Sequence, residues 1–391
     1  MVFERNRFLT AARIHDGAGW LPEGTVIEIA PDGAIVALHT GYTGDAEHFP
    51  GVLAPGFVNV HCHLELSHMA GILPEATGLI PFLQQVPAQR NQFTEEQKKA
   101  ARHAAYQELL ANGVVAVGDI ANSNETLDIR LSGQLHIHTF VECIGFSQAF
   151  AQARLDYSVQ VFNAFAAQQT SAYSLRQSII PHAPYSVSNT LFQLIDRVAP
   201  NSLLSIHNQE SEAEAAFYQQ KTGQVIDLLE GMGIDHGFFE PSGKSSLQTY
   251  LPWLSDTHPV ILVHNTFTTP EDVQFVQSSG RQVSWCLCPN ANWYIERQLP
   301  DVTMLAAHTK DICIGTDSLA SNHHLSVLGE LHILKEHFPA LSWETLLRWG
   351  TYNGARALQM EDTIGMIAAG KRPGILQLTG LEEQPTVQRI I

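Results

Sequence analysis

Short, continuous apolar runs alternate with longer amphipathic stretches along most of this chain. From residue 57 onward the apolar runs occupy 57–61, 114–120, 136–142, 177–182, 203–207, 260–264, 282–287 and 312–316. Continuous hydrophobicity, rather than alternation, predicts strands buried on both faces, as in parallel sheets. Between them apolar residues recur with helical period, as at 95–112, 189–198, 211–221, 270–279 and 302–310. Strands each followed by helical sequence predict an α/β fold, a (β/α)8 TIM barrel. A doubly wound sheet also alternates, but it usually carries a Gly-rich phosphate turn after its first strand, and none follows His61 here.

The two ends of the chain read differently. Residues 25–30 and 33–38 are β-rich and separated by the turn signal Pro31-Asp32-Gly33, which predicts a hairpin. The tail from Gly365 returns to β character, with alternating apolar residues after Pro373. The expected organisation is a small β-domain formed from both termini, residues 1–55 and 359–391, with the barrel at 56–358 between them.

Composition narrows the function classes. A net charge of −17 argues against nucleic-acid or anionic-membrane partners, both of which need a basic surface. No apolar run is long enough to span a bilayer, and the start carries charges rather than a leader's apolar stretch. The five cysteines, Cys62, Cys143, Cys286, Cys288 and Cys313, are scattered without CxxC pairs and read as free thiols of a cytoplasmic protein. The 19 histidines invite a search for metal spacing.

That search finds polar residues at the ends of the predicted strands. His61 and His63 are two apart on an extended segment, so both imidazoles can reach one ion. The fifth run ends in His207, the sixth in His264, and Asp317 follows the eighth. A lone strand-end histidine is usually structural, but several on the rim where barrel active sites form point to Zn²⁺, with Fe²⁺ as the alternative. Glu210, three residues after His207, can face the same cavity as a proton shuttle, or it can simply complement a helix dipole. Glu212 and Glu214 are assigned to the dipole, and Arg90 and Arg154 are candidates for meeting an anionic substituent, with the surface as the favoured place for both.

The segment Pro55-Gly56-Phe57-Val58-Asn59-Val60-His61-Cys62-His63 closely resembles the amidohydrolase superfamily. So do His182-Ala-Pro-Tyr-Ser-Val-Ser188, His207 with Glu210, His264-Asn265, Cys288-Pro289 with Asn292, and Gly315-Thr-Asp-Ser-Leu-Ala-Ser-Asn322. The resemblance is greatest to the aminohydrolase branch, whose members deaminate adenine-type nucleosides, guanine, cytosine or triazines. It implies that His61, His63, His207 and Asp317 bind one divalent transition metal, and that Glu210, His264 and Asp317 are catalytic. It further implies attack by an activated water on the amino-bearing carbon and release of ammonia. His182 is expected to contact the purine nucleoside, with a purely structural role as the alternative. Glu65, Ser321 and Asn322 are expected at the substrate, although Asn322 could instead cap the following helix. No lysine lies in 178–185, where binuclear relatives carry a bridging carboxylated lysine, so a mononuclear site is expected.

The leading expectation is a metal-dependent deaminase of an adenine-type nucleoside, assembled as a homodimer. Candidate substrates are aminodeoxyfutalosine, S-adenosylhomocysteine or methylthioadenosine, and adenosine. The alternatives are a guanine, cytosine or triazine aminohydrolase, a halide-displacing hydrolase, an imidazolonepropionase-type amide hydrolase, or a non-catalytic scaffold.

Overall fold

The computed structural model describes residues 5–168 and 173–391. The first strands are β1 (Arg7–Ile14), β2 (Val26–Ile29), β3 (Ile35–His39) and β4 (Glu47–Pro55). Eight more follow: β5 (Phe57–Cys62), β6 (Val114–Ala121), β7 (His136–Cys143), β8 (Leu175–Pro181), β9 (Leu204–Asn208), β10 (Val260–His264), β11 (Val283–Leu287) and β12 (Ile312–Ile314). The chain closes with β13 (Ile375–Thr379) and β14 (Thr386–Arg389).

β5 to β8 form one four-stranded parallel sheet and β9 to β12 another. Backbone hydrogen bonds tie the two together: His207 N donates to His182 O, and Thr316 N and Asp317 N both donate to His61 O, each at 3.0 Å. β5, β6, β7, β9 and β10 are buried along their whole length, as continuous apolar runs require. Helices cover these strands and are closed by local signals. Thr94 and Gln97 form a capping box at Glu95–Ala111, Thr269 and Asp272 another at Pro270–Ser279, and Gly280 ends the latter in the left-handed region.

The terminal segments build a six-stranded sheet in the order β14-β13-β4-β1-β2-β3. β2 and β3 are the antiparallel hairpin expected from the turn signal. β1 and β4, which pair in parallel, are strands the hydrophobic pattern did not announce. β4 carries Pro50 and Gly51, which read as breakers, and β1 mixes polar and apolar residues on an exposed sheet. This sheet has its own small core of Leu9, Ile27, Ile29, Leu53, Ile367 and Ile375.

Strand eight is shorter than expected. It stops at Ile314, and Asp317 adopts φ +57°, so the chain turns sharply where a longer strand was expected. The helix Leu79–Arg90 also lacked a clear signal, because Pro87 sits inside it. All five cysteines are buried and unpaired.

Candidate active site

The C-terminal ends of β5, β9 and β10 and the turn after β12 converge on one cavity. Its lining includes His63, Glu65, Asn122, Glu142, His182, His207, Glu210, His264 and Asp317. His61 is fully buried just beneath, with its Nε2 3.2 Å from His63 Nε2. His63 Nε2 in turn lies 3.3 Å from His207 Nε2 and 3.3 Å from Asp317 Oδ1. Ligand atoms of His61, His207, His264 and Asp317 all lie within 4.8 Å of one another.

Hydrogen bonds on the far side of each ring sort these histidines chemically. His207 Nδ1 donates to His182 O at 2.8 Å, which leaves Nε2 with a bare lone pair aimed into the cluster. Asn292 Nδ2 donates to His264 Nδ1 at 3.2 Å, which puts the His264 ring proton on Nε2. His264 is therefore a donor toward an oxygen, whereas His207 offers a metal-ligating nitrogen. Ser186 Oγ donates to Ala183 O and so receives from His182 Nδ1 at 2.6 Å, leaving His182 Nε2 as an acceptor.

Electrostatics agree with this division. Burial pushes His63 down to about 3, and His182 and His264 to about 4, so these imidazoles are neutral. Burial would raise the Asp317 carboxyl, but hydrogen bonding to His61 and the neighbouring His63 and His264 outweigh it and hold it below its usual value. Neutral imidazoles, a nitrogen lone pair and a carboxylate gathered in one buried cluster are the donor set that a divalent transition metal takes. The residues present fit that group.

Glu210 stands on the opposite pattern. Burial, and then the Asp317 charge, push its carboxyl well above the usual range, which favours its protonated form. Its Oε1 lies 3.5 Å from His264 Nε2. The turn that presents it is held by Glu214, whose Oε1 accepts from Gln209 N at 3.0 Å and from the Ser246 hydroxyl. Glu214 is thus a buried anchor of the Glu210 turn, not the dipole-complementing residue expected from its place at the helix start. Gln209, His264, Asn265 and Asp317 all have positive φ, so three of the turns at this site depart from ordinary strand or helix geometry.

The structure brings Glu65 into the cavity wall but corrects two other expectations. Asn322 lies outside the cavity. Its Nδ2 bonds Thr316 O and Glu330 Oε1, and its Oδ1 receives the His323 and His324 backbone N–H groups, so its side chain braces the loop. Ser321 turns its hydroxyl onto Asp317 rather than toward a substrate ring. Of the two arginines weighed between substrate and surface, Arg154 is not part of the lining and Arg90 is, with its Nη2 3.7 Å from Glu65 Oε1. Sequence reading missed Asn122, Glu142 and an apolar wall of Phe82, Leu83, Val86, Ile144 and Met232. The available signal was Glu142 itself, a lone carboxylate at the end of an otherwise uncharged strand.

The amidohydrolase family profile matches residues 52–390. An adenosine deaminase of Helicobacter pylori is 27% identical over 87% of this chain and 81% of its own length. An aminodeoxyfutalosine deaminase of Deinococcus radiodurans is 27% identical over 90% of this chain and 85% of its own. The crystal structure of Helicobacter pylori aminofutalosine deaminase in complex with methylthio-coformycin shares the fold, with a TM-score of 0.76, 21% identity and coverage of 95% of this chain and 91% of that one.

Proposed function

The chain belongs to the amidohydrolase family, and from that premise we propose that it hydrolytically deaminates an adenine-type nucleoside with release of ammonia. The observation that carries this reading is the buried Glu210 carboxyl 3.5 Å from His264 Nε2, next to the histidine–Asp317 cluster in one cavity, where burial raises its pKa. Displacing an amino group from an aromatic ring needs an acid at the adjacent ring nitrogen, because that nitrogen takes up electron density as water adds. The names of the relatives point the same way: adenosine and aminodeoxyfutalosine deaminases.

His61, His63, His207 and Asp317 would hold one ion, Zn²⁺ by the preference of histidine nitrogen for that metal, with Fe²⁺ as the alternative. When bound, such an ion acts as a Lewis acid that lowers the pKa of water from about 15.7 to about 7. Asp317 accepts the proton that the attacking water gives up and passes it to the departing amino group, which leaves as ammonia, while the remaining hydroxyl proton restores Glu210 as the product carbonyl forms. Glu210 delivers its proton to the ring nitrogen next to the amino-bearing carbon, and His264 donates from Nε2 to the oxygen that becomes the product carbonyl. His182 offers Nε2 as an acceptor to the bound ring.

The fold reading belongs to the same proposal. The two parallel sheets are halves of one closed (β/α)8 barrel, supported by the bonds from His207 to His182 and from Thr316 and Asp317 to His61 that tie their edges. The small domain of 1–55 and 359–391 is supported by the pairing of β13 with β4. A homodimeric assembly is the remaining part, and light scattering on the purified protein reads it. The functional reading is tested by following ammonia over a panel of adenine-type nucleosides, guanine, cytosine and triazines. Release from the nucleosides supports it, and release only from a triazine or a free base contradicts it.

A further inference from the structure

Two buried carboxylates, Glu65 and Glu142, stand side by side in the cavity wall and have no part in the chemistry above. One amide joins them: Asn122 Nδ2 donates to Glu65 Oε1 at 3.0 Å and to Glu142 Oε2 at 2.8 Å. Asn122 N adds a second bond, to Glu65 Oε2 at 2.9 Å. Glu65 is thereby engaged through both oxygens, and Arg90 stands 3.7 Å away. Glu142 is engaged through one. Its Oε1 is buried with no hydrogen-bond partner among the described residues.

Leaving a buried carboxyl oxygen unpartnered is costly, and such an atom beside a cavity marks a place where a bound group can supply the hydrogen bond. A ring nitrogen of His182 lies within 4.8 Å of the Glu142 carboxyl, and closest to Oε1 is His207 Nδ1 at 3.4 Å. That nitrogen already donates to His182 O at 2.8 Å, and a ring nitrogen has a single proton to give. Glu142 is therefore free of an internal duty, fixed in direction by Asn122, and part of the cavity lining. A hydroxyl suits a buried carboxyl in either protonation state, because it can both donate and accept, whereas an anion is repelled by the ionised form.

Building on the nucleoside reading, we infer that Glu142, held by Asn122 beside Glu65, is a specificity-determining residue that hydrogen-bonds a hydroxyl of the substrate's sugar. The cavity then divides by chemistry. The heterocycle lies against Glu210, His264 and His182, the hydroxylated ring against Glu142 and Glu65, and the remaining substituent runs along the apolar wall of Phe82, Leu83, Val86 and Ile144.

The experiment compares an adenine-type nucleoside with its analogue lacking both ring hydroxyls, on the metal-loaded wild type and on Glu142→Met, which keeps side-chain length and removes the carboxyl. For the wild type, removing the hydroxyls lowers kcat/KM by on the order of 10- to 100-fold, the worth of hydrogen bonds to a charged or buried acceptor. In Glu142→Met that ratio shrinks about tenfold, bound metal stays at the wild-type level, and Glu142→Gln, whose amide still pairs with a hydroxyl, restores most of it. Equal losses on both substrates, or loss of metal, overturn the inference and make Glu142 a support for His207. If Glu142→Met does not fold, Asn122→Ala gives the same comparison, since it releases the clamp on both carboxyls. A wild type that turns over neither nucleoside overturns the functional reading, and this inference with it.

Discussion

Ser321 Oγ donates to Asp317 Oδ2 at 2.5 Å, so the two oxygens of this carboxylate have different partners. Oδ1 faces His63 Nε2 at 3.3 Å and His61 Nε2 at 3.5 Å. The arrangement leaves one oxygen for the cluster and pins the other, which fixes the plane of a carboxylate that the proposed mechanism uses as a proton acceptor. A hydrogen bond to a charged group is worth about 1.5–3 kcal/mol. Ser321→Ala is expected to lower kcat by on the order of 10- to 100-fold with KM little changed and metal retained, and Ser321→Thr to recover part of it. Wild-type kcat in Ser321→Ala means that Asp317 needs no such restraint.

Gly315 lies where the β12 end passes β5. A Cβ placed on it would stand 2.7 Å from His61 Cβ and 2.9 Å from His61 O. Neither atom can move without displacing the cluster. Gly315→Ala should therefore cost on the order of 2–4 kcal/mol of stability through overpacking and weaken metal binding more than tenfold. Thermal unfolding with and without added Zn²⁺ separates the two effects, and a variant with unchanged metal affinity would show that His61 can shift freely.

Glu210→Gln is nearly isosteric and removes the acid. The fold and metal content should survive, while kcat falls by a factor on the order of 10² to 10⁴, the usual contribution of a positioned acid. The pH dependence has a definite sign. Burial raises the Glu210 carboxyl, the acid works only while protonated, and turnover therefore holds below its shifted pKa and declines as pH rises through it. That alkaline decline should disappear in Glu210→Gln. If the variant keeps near-wild-type kcat, the carboxyl only complements its helix, at about 0.3–1 kcal/mol.

The cysteines give a control on packing. All five are buried, and burial raises the thiols of Cys62, Cys143, Cys286 and Cys288. A thiol reagent added to the native protein should react slowly with every one of them and rapidly after denaturation. Fast modification of any native thiol would contradict this core.

Continuous apolar runs made the eight parallel strands legible, because burial on both faces leaves a one-dimensional trace. The clustering of His61, His63, His207, His264 and Asp317 followed from their common place at or just past strand ends, which is also local information. What the sequence hid depends on turns. The directions of Ser321 and Asn322 follow from the left-handed backbone at Asp317, and residue type alone does not reveal it. Glu214 looked like an ordinary acidic first turn until its contact with Gln209 N placed it under the Glu210 loop. Glu142 lies near the end of β7 and Asn122 just past β6, and the amide hydrogen bond that joins them is a tertiary fact. β4 was masked by Pro50 and Gly51, which its partners β1 and β13 tolerate.

Hydrolytic removal of a ring amino group is the central claim, and turnover of an adenine-type nucleoside in heavy-oxygen water tests it most directly. Mass spectrometry of the product should show one heavy oxygen at the carbon that lost its nitrogen, with one ammonia released per turnover and the bond to the sugar intact. A free base cleaved from its sugar, or consumption of substrate without ammonia, would contradict it.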